Sequence, residues 1–234
     1  MLNLKSFFFN PLQTRCVVLW QEGRPGCLIV DPGACDAPER DELTGFLEAR
    51  GLTPEKILLT HGHFDHIFAV GALRKRYGVP VLMHPDDRAT LRESERLSLA
   101  FTDGRADAAF PTVPVREGDT VTLGGFPVFQ VLETPGHTPG GVCYYDAEDQ
   151  LLLSGDSLFA GTIGRTDLPG GDYDALIRSV LEKLMVMPGE TTVLPGHGGP
   201  TTIGREASSN PFLVPFNEPE PDWTQDGLSL DNEL

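Results

Sequence analysis

Apolar residues over 2–31 fall into three short runs, "LNLKSFFF", "RCVVLWQ" and "GCLIVD", with turn-forming residues between them, and they predict three strands. The period then changes. In "DPGACDAPERDELTGFLEARG" the apolar residues Leu43, Phe46 and Leu47 recur at helical spacing, and Gly51 is a stop signal. "EKILLT" predicts a buried strand, "HIFAVGALRKRYG" a helix with Phe68, Ala72 and Leu73 on one face, and "VPVLMH" another strand. "DDRATLRESERLSLAF" predicts a charged helix, followed by an irregular stretch over 102–118. Four further strands are predicted at "TVTLG", "FPVFQVLET", "GVCYYD" and "QLLLSGD". A helix capped by Asp172 follows in "GDYDALIRSVLEKLM", then a last strand in "ETTVLPG" and a short helix beyond Pro200. Strand groups alternating with helices, without an internal repeat or an evident linker, predict one α/β sandwich whose helices cover the sheet faces.

Composition narrows the function. With 234 residues, 40% of them hydrophobic, the chain is long enough to bury a sizeable core. The formal net charge of −16 argues against nucleic acid as a partner, because phosphate recognition relies on basic surface. Six acidic residues and no Lys or Arg fall in 217–234, so the main domain is drawn over 1–216 and the remainder is expected to be a solvated acidic tail. Cys16, Cys27, Cys35 and Cys143 show no metal or disulfide spacing. The apolar run near the start is too short for a signal peptide, and no stretch approaches the ~20 apolar residues of a membrane span. A cytoplasmic location without membrane association is therefore expected.

The chemistry sits where strands are predicted to end. "THGHFDH" carries His61, His63, Asp65 and His66 directly after "KILL". His137 lies in "TPGHTPGG", Asp156 in "LLLSGDS" and His197 in "VLPGHGG", each beside glycine, which permits close backbone approach. If these strand ends share one edge, seven imidazole and carboxylate groups converge. That donor set suits zinc-like ions. A carboxylate can bridge two ions, and ions about 3.5–4 Å apart can hold a bridging hydroxide and act as Lewis acids. His84, in "VLMHPDD", has no neighbouring ligand types and reads as structural.

On these motifs the chain resembles the metallo-β-lactamase superfamily over nearly its whole length, and within it the short, single-domain glyoxalase II (hydroxyacylglutathione hydrolase)-like branch. The resemblance implies an αββα sandwich with a dinuclear site at one edge. It implies that His61, His63, His137 and Asp156 hold one metal, and that Asp65, His66, Asp156 and His197 hold the other, with Asp156 bridging. Two zinc ions are the expected cofactor, with iron or manganese as alternatives. Asp156 separates the chain from the B1 and B2 β-lactamases, which carry cysteine there. Only 37 residues follow His197, too few for the helical domain that helps bind glutathione in full-length glyoxalase II. In "GRTDLPGG", Arg165 stands where glyoxalase II has a substrate-binding lysine, and it is taken as a substrate-binding candidate; Asp167 replaces a tyrosine.

The implied activity is hydrolysis of a small-molecule thioester such as S-lactoylglutathione, with Asp65 as the catalytic residue that orients the attacking hydroxide. Three alternatives remain open from the sequence. "GRTD" is also similar to the persulfide dioxygenase branch, which would use one iron on His61, His137 and Asp156. A lactone or phosphodiester hydrolase would use the same metals. A non-catalytic binding module would keep only the fold. Metal identity, acyl group, thiol and oligomeric state are not readable from the residues.

Overall fold

Strand β2 (Thr14–Gln21) shows why the chain builds two sheets. Val17 and Leu19 point one way and Cys16, Val18 and Trp20 the other, and nearly the whole strand is buried. The next strand, β3 (Gly26–Val30), alternates likewise: Leu28 and Val30 face inward, Cys27 and Ile29 outward. A strand that is apolar on both faces must be covered on both. In the computed structural model, which describes residues 2–101 and 106–216, each of two sheets is covered by the other sheet on one face and by helices on the other. The tail drawn over 217–234 lies outside the described residues.

The first sheet has the order β1-β2-β3-β4-β5-β6, adding β1 (Leu2–Phe9), β4 (Thr53–Leu58), β5 (Val81–Met83) and β6 (Val113–Pro114). Strands β1 to β3 pair antiparallel and β3 to β6 parallel. The parallel connections require crossovers. These are α1 (Ala37–Arg50), the short α2 (Phe64–Ile67) with α3 (Val70–Tyr77), and α4 (Arg88–Phe101). Leu43, Leu47, Ile67 and Leu73 from these helices pack on Ile29 and Ile57 of the outer sheet face.

The second sheet has the order β14-β13-β10-β9-β8-β7, made of β7 (Thr120–Leu123), β8 (Phe126–Glu133), β9 (Val142–Asp146), β10 (Leu151–Gly155), β13 (Thr192–Pro195) and β14 (Thr201–Thr202). Between β10 and β13 the chain forms the small hairpin β11 (Leu158–Phe159) and β12 (Thr162–Ile163), then α5 (Tyr173–Ser179). Leu176, Val180 and Leu184, with Ile203 of α6 (Ile203–Ser209), cover Leu152 and Val193. Between the sheets, Leu28, Val30 and Leu58 meet Phe129, Val131, Tyr144 and Leu153. The four layers are the predicted αββα sandwich.

Several elements depart from the sequence pattern. The helix expected over 66–78 is two helices, because the Ala69 N–H turns to Pro32 O (2.9 Å) instead of continuing the helical ladder. The helix that Asp172 caps, by accepting from Ala175 N, ends as a π turn over Val180–Leu184, with Met185 N bonded to Val180 O. The strand expected over 55–60 ends at Leu58, since Thr60 N is taken by Asp31 Oδ1. Hairpin β11–β12 and strand β14, two residues per strand, carry too little pattern to be predicted.

Candidate metal centre

Five strands end at one edge of the sandwich. Val30 of β3 pairs with Leu58 of β4, and Gly155 of β10 with Pro195 of β13. Glu133 of β8 pairs with Val142 at the start of the antiparallel β9. The residues that follow these ends are Asp31, Thr60 to His66, His137, Asp156 and Gly196 to His197. Two backbone bonds stitch the sheets together there: Val142 N donates to Thr60 O (2.8 Å) and Arg15 N to Gly196 O (2.6 Å).

All seven predicted groups meet at this edge. One ligand atom each from His61, His63 and His137 lie within 4.8 Å of one another; the same holds for His61, His66 and Asp156, and for Asp65, His66 and His197. His63 Nδ1 faces His137 Nε2 at 2.9 Å, and His137 Nε2 lies 3.5 Å from Asp156 Oδ2. On the other side, His197 Nε2 lies 3.3 Å from Asp65 Oδ2 and 3.5 Å from Asp156 Oδ2. His66 Nε2 is 3.4 Å from Asp65 Oδ2 and 3.5 Å from Asp156 Oδ1. Asp156 thus touches both groups, as a bridging carboxylate would. His63 closes onto α2 as its N-cap, and Asp65 and His66 sit in its single turn, which sends the two halves of the motif to opposite sides.

The far nitrogen of each ring explains its orientation. His137 Nδ1 donates to Arg165 O (2.7 Å) and His197 Nδ1 to Leu12 O (3.0 Å). His61 Nδ1 meets Thr60 Oγ1 (3.1 Å), whose hydroxyl donates to Asp31 Oδ2 (2.6 Å). His66 Nδ1 lies 3.0 Å from the same Asp31 oxygen, a close charge contact out of line for a hydrogen bond. A nitrogen facing an acceptor carries a proton, so Nε2 is the nitrogen that each of these four rings turns to the centre, where a metal would bind it. His61 Nε2, His66 Nε2 and Asp156 Oδ1 are buried with no hydrogen-bond partner. Buried polar atoms left this way are costly unless something else binds them. Five imidazoles and two carboxylates form a mixed N/O set that fits zinc, iron or manganese and is poor in the oxygens calcium requires.

Protonation follows the same division. Burial, then the neighbouring His66, pushes His61 well below its usual range, and burial with His137 lowers His63 to about 4, so both are neutral. Burial would raise Asp65, but the charges and hydrogen bonds of His66, His197 and Thr14 outweigh it and hold it at about 2. Asp156 is likewise held low, against burial, by His66 and His197. Burial works against His197 as well, yet Asp156 and Asp65 push it up to about 10.

Several supporting residues escaped the sequence reading. Thr14 Oγ1 donates to Asp65 Oδ2 (2.6 Å), and Asn10 Nδ2 to Asp65 O (3.0 Å), so the β1–β2 turn braces this carboxylate. Arg15 donates to Pro195 O and Gly198 O on either side of His197. Buried Asp87 accepts from Gly62 N (2.6 Å), Gly140 N (2.7 Å) and Thr138 Oγ1 (3.0 Å), tying the His61–His63 loop to the His137 loop. For Asp31, the acceptor behind Thr60, the signal available was "DPG" after the strand "GCLIV", another polar residue at a strand end. His84 is structural as predicted: its Nε2 donates to Glu133 Oε1 (2.8 Å). The Arg165 guanidinium is exposed and paired through two bonds of 2.7 Å with Asp167, and it is the Arg165 carbonyl that serves the site, as the acceptor behind His137.

A cavity of about 190 Å³ opens beside His63, between α4 and the loop of Leu168 to Gly170. A larger groove of about 560 Å³, around Trp20, Glu22 and Arg50, is shallow and lies at the opposite ends of β3 and β4, away from the cluster.

The family model of the metallo-beta-lactamase superfamily matches residues 9–197. The probable metallo-hydrolase YqgX of Bacillus subtilis is 39% identical over 209 residues, 89% of this chain and 96% of the relative. Hydroxyacylglutathione hydrolase GloC of Haemophilus influenzae is 35% identical, over 91% of this chain and 98% of its own. Among solved structures, BLEG-1 B3 metallo-beta-lactamase superposes with a TM-score of 0.82 at 40% identity, covering 91% of this chain and all of that one. TTHA1623, solved in a di-iron-bound form, gives 0.78 at 40% identity over 89% and 100%.

Proposed function

The chain belongs to the metallo-beta-lactamase superfamily, and from that premise we propose that this metal-dependent hydrolase cleaves small-molecule thioesters, with S-lactoylglutathione as the reference substrate. The observation that carries the reading is Asp156, set between one group of His61, His63 and His137 and another of Asp65, His66 and His197. Its resemblance to hydroxyacylglutathione hydrolase GloC, covered almost end to end, supports the thioester over other acyl compounds.

Two metal ions, zinc in this reading and iron as the alternative that the di-iron TTHA1623 structure keeps in play, would lower the pKa of a water nucleophile and polarise the carbonyl. The chain's own residues do the rest. Asp65 is ionised throughout the neutral range and is fixed by the Thr14 hydroxyl, so it accepts a hydrogen bond from the attacking water and orients it. Arg165 O, Leu12 O, Thr60 and Asp31 hold four of the five rings with Nε2 turned to the centre, so little reorganisation accompanies the reaction. A departing thiolate, with a solution pKa near ~8.5, leaves without a strong general acid. No membrane-crossing helix is found among the described residues.

The second group, Asp65, His66 and His197, favours two ions over the single iron of a dioxygenase. A second reading, β-lactam hydrolysis by the same groups, is favoured by the 40% identity to BLEG-1. Hydrolysis of S-lactoylglutathione, lost in His63→Ala and Asp156→Ala, supports the first reading. A metal-loaded protein that opens a chromogenic cephalosporin and leaves every thioester intact supports the second.

A further inference from the structure

The cavity beside His63 bears on which thioester. Its walls are Ala89 and Leu97 of α4, Pro139 of the His137 loop, and Leu168 and Pro169 of the loop before α5. The surface is mostly apolar. The one cation on its rim, Arg96, bonds through Nε to Glu93 Oε2 (3.1 Å) at the exposed mouth. The nearby Arg165 is occupied by Asp167. Among the described lining residues, Arg96 at the exposed mouth is thus the cation offered, and the interior wall is apolar.

Size gives a second constraint. At roughly 30 Å³ per water-sized group, about 190 Å³ accommodates around six methylene-sized groups. Glutathione, a tripeptide with two carboxylates, is poorly matched to this mostly apolar lining. A lactoyl group, three carbons with a hydroxyl, leaves most of the cavity unfilled. With the scissile carbonyl at the metal cluster, His63 lies at the junction of the cluster and the cavity. One arm of the substrate enters there, and the larger polar thiol must lie along the open side.

We infer that this cavity is an acyl-chain site, and that the preferred substrates are thioesters of short, apolar carboxylic acids of about four to seven carbons. This rests on the thioesterase reading for its chemistry, but the site itself is testable by binding alone. Each added methylene that leaves water should strengthen binding about fourfold. The length at which the gain stops measures the cavity.

The test uses the metal-loaded full chain and a homologous series of straight-chain carboxylates, acetate to decanoate, titrated by calorimetry and ligand-observed NMR. The expected result is a rise of about fourfold per carbon up to hexanoate or heptanoate, then a plateau. Ala89→Trp, at an exposed position on the cavity wall, flattens the rise by filling the space, and Leu168→Ala flattens it from the opposite wall by removing apolar surface without adding a charge. Affinity independent of chain length, or an unchanged slope in both variants, overturns the inference. Hydrolysis of acetyl and hexanoyl thioesters of one thiol is measured in parallel. Chain-length-dependent binding without hydrolysis of either sustains the acyl site and removes the thioesterase reading. Hydrolysis without chain-length dependence does the reverse.

Discussion

Oδ2 of Asp31 lies 3.0 Å from His66 Nδ1 and also accepts the Thr60 hydroxyl that faces His61 Nδ1. One buried carboxylate thus orients a histidine in each half of the cluster. Such outer partners typically contribute 10–100-fold in metal affinity. Asp31→Asn is predicted to weaken both metal positions together by about that factor. Chelator competition checks it, and weakening of a single position would count against the shared role.

Asp87 carries a structural rather than a chemical prediction. In Asp87→Ala the Gly62 and Gly140 amides and the Thr138 hydroxyl lose their acceptor inside the protein. Unsatisfied buried donors cost about 1–3 kcal/mol each, so a loss of roughly 3 kcal/mol is expected. For a chain of this size that lowers Tm by about 6–12 °C. Thermal unfolding of the metal-free protein measures it without interference from ligand binding.

Gly196 approaches the cluster so closely that an added methyl would run into the Asp156 carboxylate and the His66 ring. Gly196→Ala should still fold, with Tm lowered by about 2–12 °C for an overpacking cost of about 1–3 kcal/mol, and lose about tenfold or more in metal affinity. Wild-type affinity in that variant would show that Asp156 is not held where the structure puts it.

The opposed histidine shifts predict a stability maximum for the metal-free protein. His197 is raised to about 10 from an unfolded value near ~6.5. Its contribution is complete below pH ~6.5 and is lost as pH rises through about 10. His63, lowered to about 4, has the other sign: its contribution is complete above pH ~6.5 and is lost as pH falls through about 4. Tm should therefore peak near pH ~6.5. Metal must displace the His197 proton, so loading at pH 8 should release protons, which calorimetry in two buffers of different ionisation enthalpy detects. A Tm that rises steadily to pH 9 without metal would contradict the assignment.

Much of this site was legible because its ligands are local. His61, His63, Asp65 and His66 lie within six positions, and His137, Asp156 and His197 each follow a recognisable strand beside glycine. The layer order was legible too, since β2 and β3 are apolar on both faces. What stayed hidden depends on distant partners. The break at Ala69 is made by Pro32 O, and the support of Asp65 comes from Thr14, 51 positions away. That His63 presents Nδ1 where its neighbours present Nε2 is a side-chain rotation no spacing encodes. Arg165 read as a substrate-binding candidate, and its exposed ion pair with Asp167, two positions on, is a side-chain contact the motif does not encode.

Metal content of the full chain, purified anaerobically, tests the central claim most directly. The account predicts two ions of one element per chain in the wild type, with occupancy lost in Asp156→Ala and S-lactoylglutathione hydrolysis tracking the second ion. A single iron per chain, with oxygen consumed in the presence of glutathione persulfide, would contradict it.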